Sequence, residues 1–396
     1  MPRQQANATC RVCGGSDIDV FIEIESVPVF CNVLLGSIDT ALNVPRGSLS
    51  LGFCTRCGHI YNHDFDPGVL SYSTDYENSL FYSNNFKAYA TGLAKSLVDR
   101  YHIKNRKVVE IACGKGDFLK LLCDLGDNRG LGFDPSFDPQ RADFIVDDRI
   151  RFIKDYFSEA YKETEADLIC CRHALEHIPD PSDFVKNLRN VVSDRKRVIL
   201  FFEVPNALYT LRDQGIWDLL YEHCSYFTPS SLRWAFQSAG FTVLDLRSEF
   251  DDQFLCIEAE ASLKAELAPW NQVDEIEDLD RYVRQFEAAY GRKVREWQEK
   301  IARWQADGLR VALWGGGTKG VTFSNALKLG DAIPYIVDIN PHKHHRFAPG
   351  TGQLIVPPDF LTSYRPDRIV IMNGIYQTEI RDTLSKMGLH PEIDIA

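Results

Sequence analysis

Long apolar runs are missing from this chain of 396 residues. No stretch approaches the roughly 20 consecutive apolar residues that a helix needs to cross a bilayer, so we expect no membrane partner. Residues 1–9 are polar and carry no apolar signal core, which predicts a cytoplasmic protein. In that compartment we expect the 11 cysteines to be reduced rather than joined in disulfides.

An excess of positive charge is also missing. The formal net charge is −12, and no basic stripe alternates with aromatic residues, so we expect no binding to a nucleic-acid backbone. An acidic surface can still contain a local cationic pocket. The charge therefore does not exclude a phosphorylated small molecule as the substrate.

Alternation of strand-like and helix-like patterns indicates the domain organisation. The chain is longer than one hydrophobic core usually supports, and its middle alternates apolar strands with helical patterns, which predicts an α/β fold with parallel strands. We predict a small module over residues 1–70 and an α/β domain over 71–262. A linker with a long amphipathic helix is expected over 263–308, and a further α/β unit over 309–396.

Two C-x-x-C pairs in the first module indicate a metal site. Cys10 and Cys13 form one pair, and Cys54 and Cys57 form the other, so each pair places two thiolates on one tight turn. Two such turns supply the four sulfur ligands of a tetrahedral Zn²⁺ site. Four thiolates leave no open position on the ion, so the expected zinc is structural. The alternatives are reduced core cysteines or a redox pair.

A glycine turn in the middle of the chain predicts a cofactor site. The run Glu110-Ile-Ala-Cys-Gly-Lys-Gly-Asp117 follows an apolar strand and opens a helix. Such a turn aims backbone N–H groups and the positive end of a helix dipole at an anionic ligand. Asp134 ends the next strand, where a carboxylate can accept hydrogen bonds from ribose hydroxyls. These features fit both S-adenosylmethionine (SAM) and a nicotinamide cofactor.

The same run resembles the glycine-rich signature of SAM-dependent methyltransferases, with Ala112 where the family often has glycine. The resemblance implies a class I, Rossmann-like methyltransferase domain between the zinc-binding module and a Rossmann-like carboxy-terminal domain. The segment that follows the fourth strand, from Arg172 to Pro179, also resembles that family, as does Asp155 at the position that contacts adenine. The cofactor-binding residues implied by the resemblance are Glu110, Ala112, Gly114, Gly116, Asp134, Asp155 and Arg172.

A later motif narrows the resemblance. The run Glu203-Val-Pro205 is followed by Glu222-His-Cys-Ser-Tyr-Phe227, a pattern similar to zinc-containing SAM-dependent C-methyltransferases of nucleotide-linked keto-deoxysugars. The resemblance implies methylation of a carbon next to a keto group, with His223 as the base. Leu220 departs from the family, because many members have tyrosine there. The expected catalytic residues are Tyr76, His177, Tyr221, Glu222 and His223.

A second glycine turn, Gly315-Gly-Gly-Thr-Lys-Gly320, follows a strand in the last unit. With Asp338 at the end of the next strand it fits a dinucleotide site, so an NAD-dependent oxidoreductase is one alternative function. The resemblance implies instead a domain for substrate binding and assembly, in which Lys319, His342 and Lys343 would suit the pyrophosphate of a nucleotide-linked sugar. The sequence is also compatible with methylation of a non-sugar metabolite and with a non-catalytic scaffold organised by zinc.

Overall fold

Three β-sheets organise the chain in the computed structural model, which describes residues 9–70, 75–141, 148–192, 197–261 and 272–396. Residues 71–74 and 262 of the predicted middle domain lie outside the described residues. Residues 263–271 of the predicted linker lie outside the described residues. None of the described helices is long and apolar enough to cross a membrane.

The first sheet carries the two cysteine turns. Its own elements are β1 (Ile18–Pro28), α1 (Ile38–Leu42), β2 (Arg46–Cys54) and β3 (Ile60–Asn62). β2 pairs antiparallel with both β1 and β3, and Ile18 lies opposite Cys54. The first cysteine pair precedes β1 and the second occupies the β2–β3 turn, so strand pairing brings the two pairs together.

The second sheet forms the middle domain. Its helices and strands are, in chain order, α2 (Asn84–Arg100), β4 (Lys107–Ile111), α3 (Asp117–Gly126), β5 (Arg129–Phe133), β6 (Ile150–Ile153), β7 (Leu168–Arg172), α4 (Pro181–Val191), β8 (Ile199–Pro205), α5 (Ala207–Arg212), β9 (Ser225–Tyr226), α6 (Pro229–Ser238), β10 (Phe241–Glu249) and β11 (Phe254–Ala261). β9 leaves this domain's sheet and pairs with β3.

Strand order identifies the class of the middle domain. The order is β10-β11-β8-β7-β4-β5-β6, and the strands from β4 to β8 run parallel. β10 and β11 form an antiparallel hairpin whose second strand lies against β8. This is the sheet order of class I SAM methyltransferases, which confirms the predicted fold class.

Burial accounts for the apolar runs that mark the central strands. Helices cover both faces of a parallel sheet, so its strands are apolar throughout. β8 is buried from Ile199 to Val204. Glu203 is the charged residue in this otherwise apolar run, and it is buried as well. The parallel register of β7 and β8 places Arg172 opposite Glu203.

One long helix, α7 (Gln272–Ala306), joins the middle domain to the last one. Its apolar positions recur every three or four residues, as the sequence predicts, and Val283 and Phe286 are fully buried. The helix packs against β1 and α5 of the first two domains. The apolar face of α7 therefore packs against the neighbouring domains.

The third sheet belongs to the carboxy-terminal domain. Its elements are β12 (Val311–Trp314), α8 (Thr318–Leu327), β13 (Tyr335–Val337), β14 (Leu354–Val356), α9 (Leu361–Tyr364), β15 (Arg368–Ile371), α10 (Gln377–Lys386) and β16 (Glu392–Ile395). All five strands are parallel in the order β14-β13-β12-β15-β16. This arrangement is Rossmann-like, with its switch point between β12 and β15.

Candidate functional site

A cavity of about 900 Å³ lies between the middle and carboxy-terminal domains. Its wall includes the carboxyl ends of β4 and β7, the switch point at which open α/β sheets bind ligands. The predicted site residues that line it are Tyr76, Glu110, Ala112, Gly114, Asp134, Asp155, Arg172, His177 and His223. Gly116, Tyr221 and Glu222 are not among the described residues that line it.

Left-handed backbone shapes the glycine turn after β4. Ala112, Gly114 and Gly116 have φ angles of 53°, 54° and 86°. Glycine adopts this region without strain, whereas the Cβ of Ala112 costs about 1–2 kcal/mol there. The Gly114 N–H donates to Asp134 at 2.8 Å, and Gly116 precedes the first turn of α3. The turn therefore presents backbone to the cavity at the start of a helix.

Two carboxyl groups brace this turn. Glu110 on β4 accepts a hydrogen bond from the Leu119 N–H at 3.0 Å. Burial raises the pKa of Glu110 to about 8, although the Arg172 guanidinium opposes the rise. Asp134 also accepts the Ser136 N–H at 2.8 Å and faces the cavity. Its position after β5 is the one expected of a ribose acceptor.

The other two predicted cofactor residues already have protein partners. Asp155 accepts a hydrogen bond from the Tyr161 hydroxyl at 2.6 Å. Arg172 donates to Glu203 at 2.9 Å and lies over the Phe118 ring at 4.2 Å from its centroid. Burial opposes ionisation of Glu203, but Arg172 and the neighbouring His173 ring hold the pKa of this carboxyl well below its usual range. Arg172 is thus part of an internal ion pair at the cavity wall.

Two histidine rings meet at the cavity wall. The ring centroids of His177 and His223 are 4.8 Å apart, and the rings are perpendicular. Burial lowers the pKa of His177 to about 4. A hydrogen bond to the Glu222 backbone favours the charged form of the ring and opposes this decrease. Burial also lowers the pKa of His223 well below its usual value, and His177 and His173 add to the effect. His223 is therefore neutral near pH 7 and able to accept a proton.

Glu222 precedes His223 in the chain, and its side chain is hydrogen-bonded to residues of other segments. Its side chain is fully buried and accepts the Cys31 N–H at 2.7 Å. Burial raises the pKa of Glu222 to about 7, while the hydrogen bonds from Cys31 and the Tyr76 hydroxyl oppose the rise. Tyr76 lines the cavity. The carboxyl group thus holds a cavity-facing phenol in place.

Tyr221 packs in a core cluster with Phe65, which lines the cavity, but is not itself among the described lining residues. Its side chain is 2% exposed, and its ring centroid lies 5.5 Å from that of Phe65. Its hydroxyl accepts the Asp66 N–H at 2.9 Å. A Cβ on Gly47 would lie 2.2 Å from the ring, so the two residues are in close contact.

The second glycine turn differs from the first in backbone conformation, with φ angles of 120° at Gly315 and −92° at Gly317, but a carboxylate bonds it in the same way. Asp338 accepts the Gly316 N–H and the Asn340 N–H, each at 2.8 Å. A Cβ on Gly320 would meet the Gly315 carbonyl oxygen at 2.1 Å, so this position needs glycine for α8 to pack on the turn. The turn lines the same cavity as the first one.

Two lysines of the carboxy-terminal domain reach into the space between domains. Lys343, 6% exposed, donates to Asn32 at 3.2 Å and to the Gly316 carbonyl at 3.1 Å. Lys319 donates to Asp218 at 3.0 Å. Both lysines line the cavity; Lys319 is paired with the Asp218 carboxylate, whereas Lys343 donates to neutral oxygens.

The predicted metal ligands form one cluster. Their Sγ atoms lie within 4.8 Å of one another, and the ligands are Cys10, Cys13, Cys54 and Cys57. The Cys10–Cys57 and Cys13–Cys54 sulfur distances are both 3.6 Å. Tetrahedral zinc with bonds of about 2.3 Å requires sulfurs about 3.8 Å apart. The Gly15 N–H points at the Cys13 sulfur at 3.4 Å. The donor set therefore fits Zn²⁺.

Comparison with known proteins assigns two of the domains. Residues 83–246 match the family model described as a methyltransferase domain, and residues 259–389 match the model described as a C-methyltransferase C-terminal domain. The chain is a SAM-dependent methyltransferase with a C-methyltransferase carboxy-terminal domain. An NAD-dependent oxidoreductase is accordingly not favoured.

One curated protein is similar to this chain over most of its length, and solved methyltransferase structures are similar to about half of it. The C-methyltransferase NovU of Streptomyces niveus is 26% identical over 391 residues, which cover 94% of this chain and 91% of that protein. Magnesium protoporphyrin IX methyltransferase of Synechocystis PCC 6803, solved with bound SAH, is 16% identical over 47% of this chain and 90% of that chain, with a TM-score of 0.35. The 1,6-didemethyltoxoflavin-N1-methyltransferase of Burkholderia thailandensis is 16% identical over 52% of this chain and 96% of that one, with a TM-score of 0.35.

Two buried glutamates of this methyltransferase received no role from the sequence pattern. Glu203 interrupts the apolar strand β8, and Glu176 precedes His177 in the segment after β7. A charged residue inside an apolar strand is a signal for a buried pair or a site, because such residues are almost never fully buried without a partner. That signal was available for Glu203. Glu176 offers no comparable pattern.

Proposed function

We propose that this methyltransferase transfers the methyl group of SAM to the carbon next to the keto group of a nucleotide-linked sugar. The observation that carries the proposal is the shared cavity, because the cofactor turn, His223 and the second glycine turn all line it. The reaction needs a methyl donor, a base and an anchored acceptor within one enclosed space.

His223 is the proposed base. Burial keeps its imidazole neutral, so it can take a proton from the acceptor carbon while the C–H electrons move to the keto oxygen. SAM supplies the electrophilic methyl group that the resulting enolate carbon attacks. A positioned general base contributes roughly 10²–10⁴-fold to such a reaction.

Tyr76 is the proposed donor to the enolate oxygen. It lines the cavity, and its single hydroxyl hydrogen-bonds Glu222, the residue before the base, so donation to the enolate oxygen requires that hydrogen to turn from Glu222 to the bound acceptor. Preorganised donors at the atom that gains charge stabilise a transition state without reorganisation cost. Until the acceptor binds, Glu222 holds this phenol at the cavity wall. The position of Tyr221 against Phe65 supports a packing role for that residue.

The second glycine turn supports a nucleotide-linked acceptor. The turn presents Gly315, Gly317 and the start of α8 to the cavity, and helix starts after glycine turns bind phosphate. Lys343 adds positive charge on the same side, and Lys319, which is paired with Asp218, can turn to the acceptor. A pyrophosphate satisfies both features.

We also propose that the four cysteines hold a structural zinc ion. Their sulfur spacing fits a tetrahedral Cys₄ site, which leaves no open position for water or substrate. The ion would hold β1, β2 and β3 together. Because β3 pairs with β9, it would also support the segment that carries His223.

Mass spectrometry with the full-length protein tests the acceptor. We would incubate SAM with keto sugar nucleotides and, separately, with keto metabolites that lack a nucleotide. The proposal expects the mass gain of one CH₂ unit on a nucleotide-linked sugar. Methylation of the free metabolites alone would replace the sugar acceptor with a non-sugar one.

Hydrogen exchange tests the base. In D₂O without SAM, deuterium should enter the acceptor position next to the keto group, and the exchange should stop in His223→Ala. His390→Ala, which removes an exposed histidine, is the matched control and should exchange normally. Undiminished exchange in His223→Ala would remove this residue as the base.

A further inference from the structure

Glu176 is a buried carboxyl group, and no other residue among those described donates a hydrogen bond to either of its oxygens. It lies between β7 and α4 with 1% of its surface exposed, and it forms part of the cavity wall. Buried polar groups in native structures are nearly always hydrogen-bonded, so an exception requires an explanation beyond packing.

The two predicted catalytic histidines lie close to this carboxyl group. A carboxyl oxygen of Glu176, a ring nitrogen of His177 and a ring nitrogen of His223 all lie within 4.8 Å of one another. The hydrogen bond between His177 and the Glu222 backbone gives that ring a defined orientation. The three side chains therefore form a compact group at the cavity wall.

We propose that Glu176 is a positioning residue whose carboxylate supplies the negative charge that allows His223 to accept the proton of the substrate. The inference rests on the proposed function, in which His223 is the base.

The need for such a charge follows from the site. Burial and the neighbouring rings oppose a positive charge on His223. In the proposed step the C–H bond of the acceptor breaks, its electrons move to the keto oxygen, and the proton binds His223. The new imidazolium then lies beside a carboxylate instead of in an uncharged wall. After methyl transfer the proton leaves to solvent, so no further reactant is required.

The surroundings of Glu176 determine when it is ionised. Besides His177 and His223, the titratable groups that face it are His173, whose Nδ1 lies 3.8 Å away, Cys171, Glu203 and Cys224. None of them is a permanent cation. Burial raises the pKa of Glu176 to about 8, and Glu203 adds to the rise. The carboxylate form therefore increases as pH rises through about 8.

Histidine NMR on the intact protein tests this arrangement without any acceptor. With ¹³C-labelled histidine rings, the signals of His177 and His223 should shift in a transition near pH 8, because they sense the ionisation of Glu176. The transition should disappear in Glu176→Gln and persist in Glu222→Gln, a matched change of the adjacent buried carboxyl. The same transition in Glu176→Gln would overturn the proposal, whatever the true acceptor is.

Kinetics with dTDP-4-keto-6-deoxyglucose as the probe provide the second readout. Exchange by the wild-type protein should rise with pH through about 8. In Glu176→Gln we expect kcat to fall at least about tenfold, the effect of one pKa unit on the base, with KM little changed. Glu176→Asp, which keeps the charge, should retain the pH dependence. A change in KM alone would contradict a role in proton transfer.

Two controls exclude other causes of a loss of activity in Glu176→Gln. Thermal unfolding must show that Glu176→Gln is folded, and Glu176→Asp provides a second variant if it is not. Metal analysis should find one zinc ion per chain, held by the cysteines. A second ion that is lost in Glu176→Gln would overturn the proposal, because a cation would then occupy this group.

Discussion

A methyl group added at Gly47 should disturb the site through Tyr221. The new Cβ would lie 2.2 Å, 2.6 Å and 2.8 Å from three atoms of the Tyr221 ring. Carbon atoms pack at about 3.5 Å, so the ring must move by about 1.3 Å. The ring is 2% exposed and packs against Phe65.

The cost of Gly47→Ala follows from these contacts. Overpacking of a core costs about 1–3 kcal/mol, and displacement of the ring also breaks the 2.9 Å hydrogen bond from the Asp66 N–H, worth about 1 kcal/mol. We expect a total loss of about 2–4 kcal/mol. Methyl transfer should fall as well, because Glu222 and His223 follow Tyr221 in the chain.

Urea unfolding measures this loss as a lower midpoint with an unchanged slope. Gly92→Ala is the matched control, since Gly92 lies in α2 with no atom within 4 Å of an added Cβ. It should be neutral or stabilise the protein by up to about 1 kcal/mol. Unfolding of Gly47→Ala at the wild-type midpoint would contradict the close contact between Gly47 and the Tyr221 ring.

Three further predictions concern the metal, the cofactor and pH. Cys57→Ser should lose the bound zinc, whereas Cys123→Ser should keep one ion per chain; retention of zinc in Cys57→Ser, by elemental analysis, would contradict the Cys₄ site. Calorimetry with S-adenosylhomocysteine should show binding abolished by Gly114→Arg and retained by Ala112→Gly, since glycine relieves a left-handed alanine; normal binding by Gly114→Arg would exclude this turn. Burial raises the pKa of Glu222 to about 7, so between about pH 4.3 and that value the folded state keeps a proton that the unfolded chain releases. This carboxyl therefore makes stability fall as pH rises across that range, and the fall should be smaller in Glu222→Gln; equal pH dependence of the urea midpoints would refute this.

Contacts between residues that are far apart in the sequence could not be predicted from the sequence. Glu176 lies near His223 because the turn after β7 and the segment before β9 end at the same cavity. Arg172 meets Glu203 because β7 and β8 pair in one particular parallel register. Register depends on packing across the whole sheet, so no local pattern reveals which partner a charged residue will find.

The sequence by itself determined the local motifs and secondary structure of this methyltransferase. The cysteine pairs, the glycine turns and the long helix α7 depend on spacings of a few residues, and such spacings translate directly into turns, ligand sets and faces. Only the tertiary structure decided which residues share the cavity. It buried Tyr221 against Phe65, paired Arg172 with Glu203 and placed the second glycine turn opposite the first. Those outcomes depend on how three sheets pack together, which is a property of the whole chain.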